Sequence, residues 1–140
     1  MGQKLGQTVH ETSELAEFSV RAKNRPFRVR LGFALKGLVF ALRAERSLRF
    51  QASVFIAVVI ALALLRPGPL WWALVMLASA AVLAAELLNT ALEHLVDHLH
   101  PEVHPQIRIV KDCAAAGVLL AVLGAMAVGA ALAVHLLSKG

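Results

Sequence analysis

Charged side chains are scarce in this sequence. They make up 16% of its 140 residues, against about 25% in an ordinary soluble domain, and 59% of the residues are hydrophobic. A chain this short has too little interior to bury so much apolar surface, because small domains have a large surface for their volume. The composition therefore excludes an ordinary soluble domain and predicts a protein that is solvated by lipid.

Cysteine and familiar nucleotide-binding motifs are also rare or absent. The single cysteine, Cys113, has no partner for an internal disulfide and no Cys or His at zinc-binding spacing. We interpret it as a small apolar residue at the start of a helix. The sequence holds neither a Gly-x-x-x-x-Gly-Lys-Ser/Thr loop nor a Gly-x-Gly-x-x-Gly loop. Residues 1–24 contain no apolar run typical of a cleavable signal peptide, so the first hydrophobic helix is expected to direct membrane insertion.

The basic residues are concentrated ahead of the first long apolar run. The formal net charge is +5, and ten of the fourteen Lys and Arg residues lie among the first 50 residues. A basic segment beside an apolar span is typical of a topology signal and of attraction to anionic membrane lipids. Nucleic acid is therefore not an expected partner.

The apolar pattern predicts an all-α membrane protein with an N-terminal amphipathic surface helix and three transmembrane helices. A polar N-terminal extension is expected over residues 1–23, followed by a single membrane-embedded domain over residues 24–140. Asn24 and Pro26 predict the start of the surface helix, whose apolar positions recur at helical spacing. The three predicted spans cover residues 48–65, 70–92 and 113–137.

The connections and their charges predict the orientation. Arg66-Pro67-Gly68-Pro69 is expected to form a tight turn, Trp71 and Trp72 to lie in an aromatic belt, and residues 98–110 to form a loop rich in His and Pro. The N-terminal region and the residues between the second and third predicted spans hold twelve Lys and Arg residues, whereas the first turn and the C-terminus hold two. The positive-inside rule then places the N-terminus and the second loop in the cytoplasm.

The third predicted span carries small residues at every fourth position. This spacing lets helices approach closely in lipid, and three helices alone offer little interior for polar groups, so we expect an oligomer. The alternative is an Ala-rich helix with chance spacing. The positions are Gly117, Ala121, Ala125, Gly129 and Ala133.

A stripe of polar side chains runs along the end of the second predicted span. At about 100° per residue, Glu86, Asn89, Glu93 and Asp97 project within about 80° of one another. Carboxylates in a membrane helix are costly and usually functional, and several on one face repel unless a cation joins them or one takes up a proton. All the candidate ligands are oxygen atoms, which predicts Mg²⁺, an ion commonly held by one or two carboxylates plus substrate phosphates.

Depth suggests different roles for the two glutamates of this stripe. Glu86 lies about 10 Å further along the helix into the membrane than Glu93. A metal and nucleotide at Glu93 would meet cytosolic ATP, whereas Glu86 would meet a lipid hydroxyl and suits a general base. The alternative is that Glu86 is a structural partner for a polar group on another helix. Glu45, Lys111 and Asp112 flank the other spans and are expected at the same cytoplasmic level.

Four short motifs follow one another along the chain. They are Gly32-Phe33-Ala34-x-x-Gly37, Glu45-Arg46-Ser47-x-Arg49, Glu86-x-x-Asn89-Thr90-Ala91-x-Glu93-x-x-x-Asp97 and Lys111-Asp112-x-Ala114-Ala115. Together they resemble the signature of the bacterial diacylglycerol kinase family, and the resemblance extends over residues 27–137. It implies a homotrimer of three-span subunits in the bacterial cytoplasmic (inner) membrane. It also implies transfer of the ATP γ-phosphate to a lipid alcohol, with Mg²⁺, on the cytoplasmic side.

The resemblance also implies roles for individual residues. Glu86 would be the catalytic base, Glu45 and Glu93 would hold Mg²⁺ and through it the ATP phosphates, and Asn89 and Asp97 would support the site. The remaining implied contacts are Lys111, Asp112, Glu102 and His104 with the nucleotide, and Ser47, Arg49 and Glu86 with the lipid substrate.

Several functions stay open from the sequence. Diacylglycerol, giving phosphatidic acid, is the leading acceptor, and undecaprenol is the alternative, because Glu45-Arg46-Ser47 and His104-Pro105 resemble that branch of the family. From a different class, a small multidrug or ion transporter could use one membrane glutamate to bind protons, but several acidic groups at one surface speak against it. A helical assembly factor without chemistry would leave the carboxylate stripe unexplained.

Overall fold

The structure, a computed structural model, describes residues 26–102 and 104–138. The predicted polar extension over residues 1–23 lies outside them. The described residues form four α-helices joined by short connections, and the chain divides into two compact units between Leu38 and Val39. The helices are α1 (Phe27–Ala44), α2 (Arg46–Leu65), α3 (Pro69–Leu99) and α4 (Pro105–Leu137).

Three of the described helices are long and apolar enough to cross a membrane, namely α2, α3 and α4. This confirms the predicted number of candidate spans. At 1.5 Å per residue, α3 and α4 are about 46 and 50 Å long, whereas the hydrocarbon core of a bilayer is about 30 Å thick. Both helices therefore extend past the core, and the predicted spans 70–92 and 113–137 lie inside longer helices.

The connection between α3 and α4 is shorter than the sequence pattern predicts. The expected loop over residues 98–110 is wrong, because α4 begins at Pro105. His104 caps this helix, its Nδ1 accepting a hydrogen bond from the backbone N–H of Gln106 at 3.2 Å. Proline is favoured in a first helical turn, where its missing N–H breaks no hydrogen bond. Cys113 consequently lies well inside α4 rather than at its start, and it is exposed.

The turn between α2 and α3 reverses the chain over a few residues. Arg66 adopts a left-handed conformation with φ of 48°, and its N–H donates to Leu62 O at 2.9 Å, which closes α2. Pro69 then occupies the first turn of α3. So short a connection makes α2 and α3 antiparallel neighbours.

A buried apolar cluster lies near this turn. It is built from Leu62 of α2, Val75 of α3 and Leu132 of α4. Trp71 packs against the cluster and also contacts the ring of His135, with 5.0 Å between ring centroids. The remaining partly buried residues around the cluster are Val58, Trp72, Val128 and Leu136. Both tryptophans predicted for an aromatic belt therefore pack on the protein core.

The junction of α1 and α2 is a single extended residue, Glu45, with φ of −101° and ψ of 124°. Arg49 Nη1 donates to the carbonyl oxygens of Leu42 and Arg43 at 3.2 and 3.0 Å, which satisfies carbonyl groups at the end of α1. The Glu45 carboxylate makes no capping hydrogen bond to α2 and is turned to other contacts. That α1 lies in the membrane interface stays a prediction.

Candidate active site

Glu86 of α3 is a buried carboxylate held by a residue of α2. Its exposed fraction is 5%, and the Ser47 hydroxyl donates a hydrogen bond to Glu86 Oε1. Leu48, next to Ser47, is 1% exposed and fixes this part of α2. A buried carboxylate is costly unless donors satisfy it, so this contact determines how Glu86 is oriented.

One turn further along α3, Asn89 orients Glu93. Asn89 Nδ2 donates to Glu93 Oε1 at 3.0 Å, the geometry expected of residues four positions apart on a helix. The other end of the amide, Asn89 Oδ1, is buried and has no hydrogen-bond partner among the described residues. The pair therefore offers a carboxylate and an unpaired amide oxygen side by side.

Glu45 lies beside the same turn of α3 as Glu93. Its Oε1 is 3.8 Å from Nε2 of His94, the residue that follows Glu93. The His94 ring also meets Phe40 edge-on, with 5.2 Å between centroids. The sequence pattern places His94 off the carboxylate stripe, yet through this contact it holds Glu45 close to the stripe.

The C-terminal part of α3 and the N-terminal part of α4 are joined by an ion pair. Lys111 Nζ donates to Asp97 Oδ1 at 2.5 Å, and Lys111 is the more buried of the two side chains, at 34% against 63% exposed. One turn away, Arg108 Nε lies 3.9 Å from Asp112 Oδ2 along α4. The pair of Lys111 and Asp97 thus joins the predicted nucleotide contacts on α4 to the polar stripe on α3.

The structure places other predicted contacts away from the carboxylates. The Arg49 guanidinium is bonded to the end of α1, His104 caps α4, and Glu102 is exposed in the connection between α3 and α4. Asp112 pairs with Arg108 rather than with a residue of the stripe. Within one chain, the site residues that contact one another therefore lie at the end of α1 and its junction with α2, on α2, on α3 and at the beginning of α4.

The donor set fits a hard divalent cation. No group of three or more His, Cys, Asp or Glu side chains that could hold a metal ion occurs within residues 26–102 and 104–138. Mg²⁺ does not require one, because it commonly takes one or two carboxylates and fills its other positions with water and substrate phosphates. Glu45 and Glu93, with the unpaired oxygen of Asn89, supply ligands of that kind.

The two glutamates of α3 differ in their distance from the start of the helix. Measured along α3 from Pro69, Glu86 is about 26 Å and Glu93 about 36 Å away. The hydrocarbon core of a bilayer is about 30 Å thick, so a span that began at Pro69 would end between the two glutamates.

An apolar cavity of about 480 Å³ lies between α2, α3 and α4. It begins one helical turn below the Ser47–Glu86 hydrogen bond and extends along α2 from Phe50 to Leu65, a length of about 22 Å. Among its described lining residues, Gln51 and Ser79 carry the polar side chains. The sequence pattern does not identify these two residues, because one Gln or Ser in an apolar run shows no helical spacing.

The sequence of the chain is similar to a protein family and to a curated relative. Residues 32–133 match the family model described as prokaryotic diacylglycerol kinase. A curated protein named diacylglycerol kinase, from Synechocystis sp., is 38% identical over 101 residues, which is 71% of this chain. The matched part spans 58% of that relative's length. The family match includes every residue of the hydrogen bonds, ion pairs and ring contact of this candidate site, from Phe40 to Asp112.

Proposed function

The chain belongs to the prokaryotic diacylglycerol kinase family, and we propose that it transfers the γ-phosphate of ATP to diacylglycerol, giving phosphatidic acid and ADP. The observation that carries this proposal is the position of Glu86. It is a buried carboxylate held by Ser47, with an apolar cavity below it and the carboxylate of Glu93 about 10 Å above it. A lipid hydroxyl and a soluble nucleotide can meet at such a point.

The lipid side of the reaction depends on Glu86. The lipid hydroxyl oxygen attacks the γ-phosphorus of ATP in line, the bond from that phosphorus to the bridging oxygen of ADP breaks, and Glu86 takes the hydroxyl proton. Ser47 keeps the carboxylate turned towards α2. Because water is scarce at this depth, the reactive lipid hydroxyl meets Glu86 rather than solvent.

The nucleotide side of the reaction depends on the groups above Glu86. Glu45 and Glu93 would hold Mg²⁺, and Asn89 fixes the orientation of Glu93. Such an ion would supply positive charge that neutralises the charge developing on the phosphates during transfer. Lys111, held by Asp97, is a cation that can meet the phosphate chain. Asp112, Glu102 and His104 are proposed as further nucleotide contacts.

The assembly is proposed to be a homotrimer. Few residues of the candidate spans are buried within one chain, 11% of the most apolar windows of α2 and α3 and none of α4. A Cβ atom added at Gly117 or Gly129 meets nothing within 4 Å, so α4 leaves room for close approach of another helix.

The proposed location is the bacterial cytoplasmic (inner) membrane, with the site facing the cytoplasm. The described basic residues support this orientation. Arg43, Arg46, Arg49, Arg108 and Lys111 flank the site end of the spans, and Arg66 is at the opposite end. Such an asymmetry supports a site on the side where ATP is present.

Undecaprenol is the second candidate acceptor, and the length of the cavity favours it. The cavity extends for about 22 Å along α2, which is more than half the thickness of the hydrocarbon core of about 30 Å. A long isoprenoid chain could fill that length from the cytoplasmic end. A proton-coupled transporter has less support, because the carboxylates lie at one end of the spans and not at their middle.

Phosphate transfer in mixed micelles tests the proposal. Purified protein is given ATP labelled at the γ-phosphate, Mg²⁺, and diacylglycerol, undecaprenol or no lipid alcohol. Label recovered in phosphatidic acid supports the proposal, and label recovered only in the polyprenyl phosphate supports the second candidate. Absence of any labelled lipid, together with proton-coupled uptake in proteoliposomes, would exclude the kinase reaction in favour of a transporter.

A further inference from the structure

Two polar side chains face an otherwise apolar cavity without hydrogen-bond partners. Gln51 of α2 has a buried Oε1 atom that accepts no hydrogen bond from any described residue. Ser79 of α3 lines the same cavity, and no hydrogen bond from its hydroxyl to a described residue is present. A buried polar atom left unpaired is costly, so a partner for Gln51 is expected from outside the described chain.

Gln51 and Ser79 both lie further along their helices from the polar stripe than Glu86 does. Gln51 lies one turn below Ser47, about 6 Å along α2, and Ser79 lies two turns below Glu86, about 10 Å along α3. Ser47 and Glu86 are bonded to each other and so mark a common level. A lipid whose hydroxyl reaches Glu86 would therefore place its next polar groups beside Gln51 and then Ser79.

Resting on the proposed kinase function, we infer that Gln51 and Ser79 form a polar subsite that binds the ester groups of the lipid substrate. Diacylglycerol carries two ester groups within a few bonds of its free hydroxyl, one of them a carbon further away than the other. Rotation of the Gln51 amide presents its NH₂ group where Oε1 now lies, and an NH₂ group donates to an ester carbonyl. The Ser79 hydroxyl donates in the same way to the deeper ester.

Such a subsite gives the enzyme a means of choosing between lipid alcohols. A polyprenol or an ether lipid has no carbonyl group at this depth, so it would leave the Gln51 amide buried and unpaired. Sites built to hydrogen-bond a substrate group reject analogues that lack the group, because the protein partner is then left unsatisfied. Gln51 and Ser79 are thus specificity-determining residues, distinct from the groups that carry out transfer.

The test compares a diester with its diether. Dioctanoylglycerol and dioctyl glyceryl ether share the free hydroxyl and nearly the same apolar bulk, but the ether lacks both carbonyl groups. We expect kcat/KM of the parent protein to favour the diester by about tenfold. Gln51→Leu should reduce that ratio to below about threefold, Ser79→Ala should reduce it less, and the double variant should bring it near one.

A matched control and a measurement without turnover complete the test. Ser53→Ala removes a hydroxyl that is already bonded to Arg49 O at 2.9 Å and that lies outside the cavity lining, so it should keep the parental ratio. Native mass spectrometry of the protein in detergent, with either lipid, counts bound lipid even where none is phosphorylated. A parental ratio near one, or a ratio unchanged by Gln51→Leu, would overturn the subsite. Diester binding that is lost in Gln51→Leu without any phosphorylation would keep the subsite and remove the kinase function.

Discussion

The hydroxyl of Ser47 on α2 donates a hydrogen bond to the buried carboxylate of Glu86 on α3. This contact joins two antiparallel helices at the level where the apolar cavity ends and the polar stripe begins. It fixes one of the two carboxylate oxygens, Oε1. Ser47 therefore has two possible roles: it positions Glu86 for catalysis, or it binds the lipid substrate.

Replacing Ser47 tests these interpretations. Ser47→Ala should lower kcat by about threefold to tenfold, because the base loses its orienting hydrogen bond, whose contribution is about 1 kcal/mol. The KM for lipid should change little, and Ser47→Thr, which keeps a hydroxyl group, should restore most of the rate. Steady-state kinetics in mixed micelles gives both constants. A raised lipid KM with normal kcat would instead assign Ser47 to substrate binding.

The number and order of the helices could be predicted from the sequence, because each depends on local pattern. Apolar runs of sufficient length predict candidate spans, and Pro26 marks the start of α1 as expected. The stripe from Glu86 to Asp97 also follows from helical periodicity alone. The structure confirms that these residues lie on one continuous helix, α3.

The structural features that could not be predicted from the sequence depend on tertiary packing or on contact with solvent. The helical course of residues 105–110 was missed because His and Pro are typical of loops, although they also start helices that extend into water. The contact of Ser47 with Glu86 joins residues 39 positions apart, and no local pattern reports such a distance. Gln51 was missed because its role depends on a cavity that three helices form together.

The ion pair of Lys111 and Asp97 should matter for nucleotide use more than for stability. Both side chains are partly exposed, and exposed pairs contribute at most about 1 kcal/mol. Lys111→Met should therefore leave thermal unfolding nearly unchanged while raising the KM for ATP by about tenfold, because phosphate charge is less well neutralised. Thermal melts and ATP titrations of Lys111→Met and Asp97→Asn check this. A melting temperature that falls strongly, with a normal ATP KM, would make the pair structural.

The orientation of the helices predicts which connections the cytoplasm reaches. In a Cys113→Ser background, Pro101→Cys should react with an impermeant maleimide only after the membrane is opened, whereas Gly68→Cys should react in intact cells. The reason is that the basic residues flank the end of the bundle that contains Pro101. Labelling of Pro101→Cys from outside would place the carboxylates away from ATP and contradict the proposed site.

Glu45 and Glu93 should control the Mg²⁺ requirement. Glu45→Gln and Glu93→Gln keep the shape of each side chain but remove charge that attracts a hard cation, so the Mg²⁺ concentration for half-maximal rate should rise by about tenfold or more, with lipid KM changing less. His98→Gln, an exposed change on the same helix, serves as the control. If both glutamate variants follow the parental Mg²⁺ curve, the ion binds elsewhere.

Glu86→Gln gives the sharpest test, because it removes proton acceptance while filling the same buried space. The amide cannot take the proton of the lipid hydroxyl, so kcat should fall by about 10²-fold or more, the usual scale for loss of a general base. ATP and lipid affinities should change little, because the lost interaction belongs to the transition state. The oligomer should also remain intact, since neutralising a carboxylate at this depth removes a cost to folding rather than a support. A structural role predicts the opposite pattern, in which activity, assembly and melting temperature fall together. A folded oligomer with near-normal turnover would exclude Glu86 as the base and leave Glu45 and Glu93 as the remaining evidence for a phosphotransfer site.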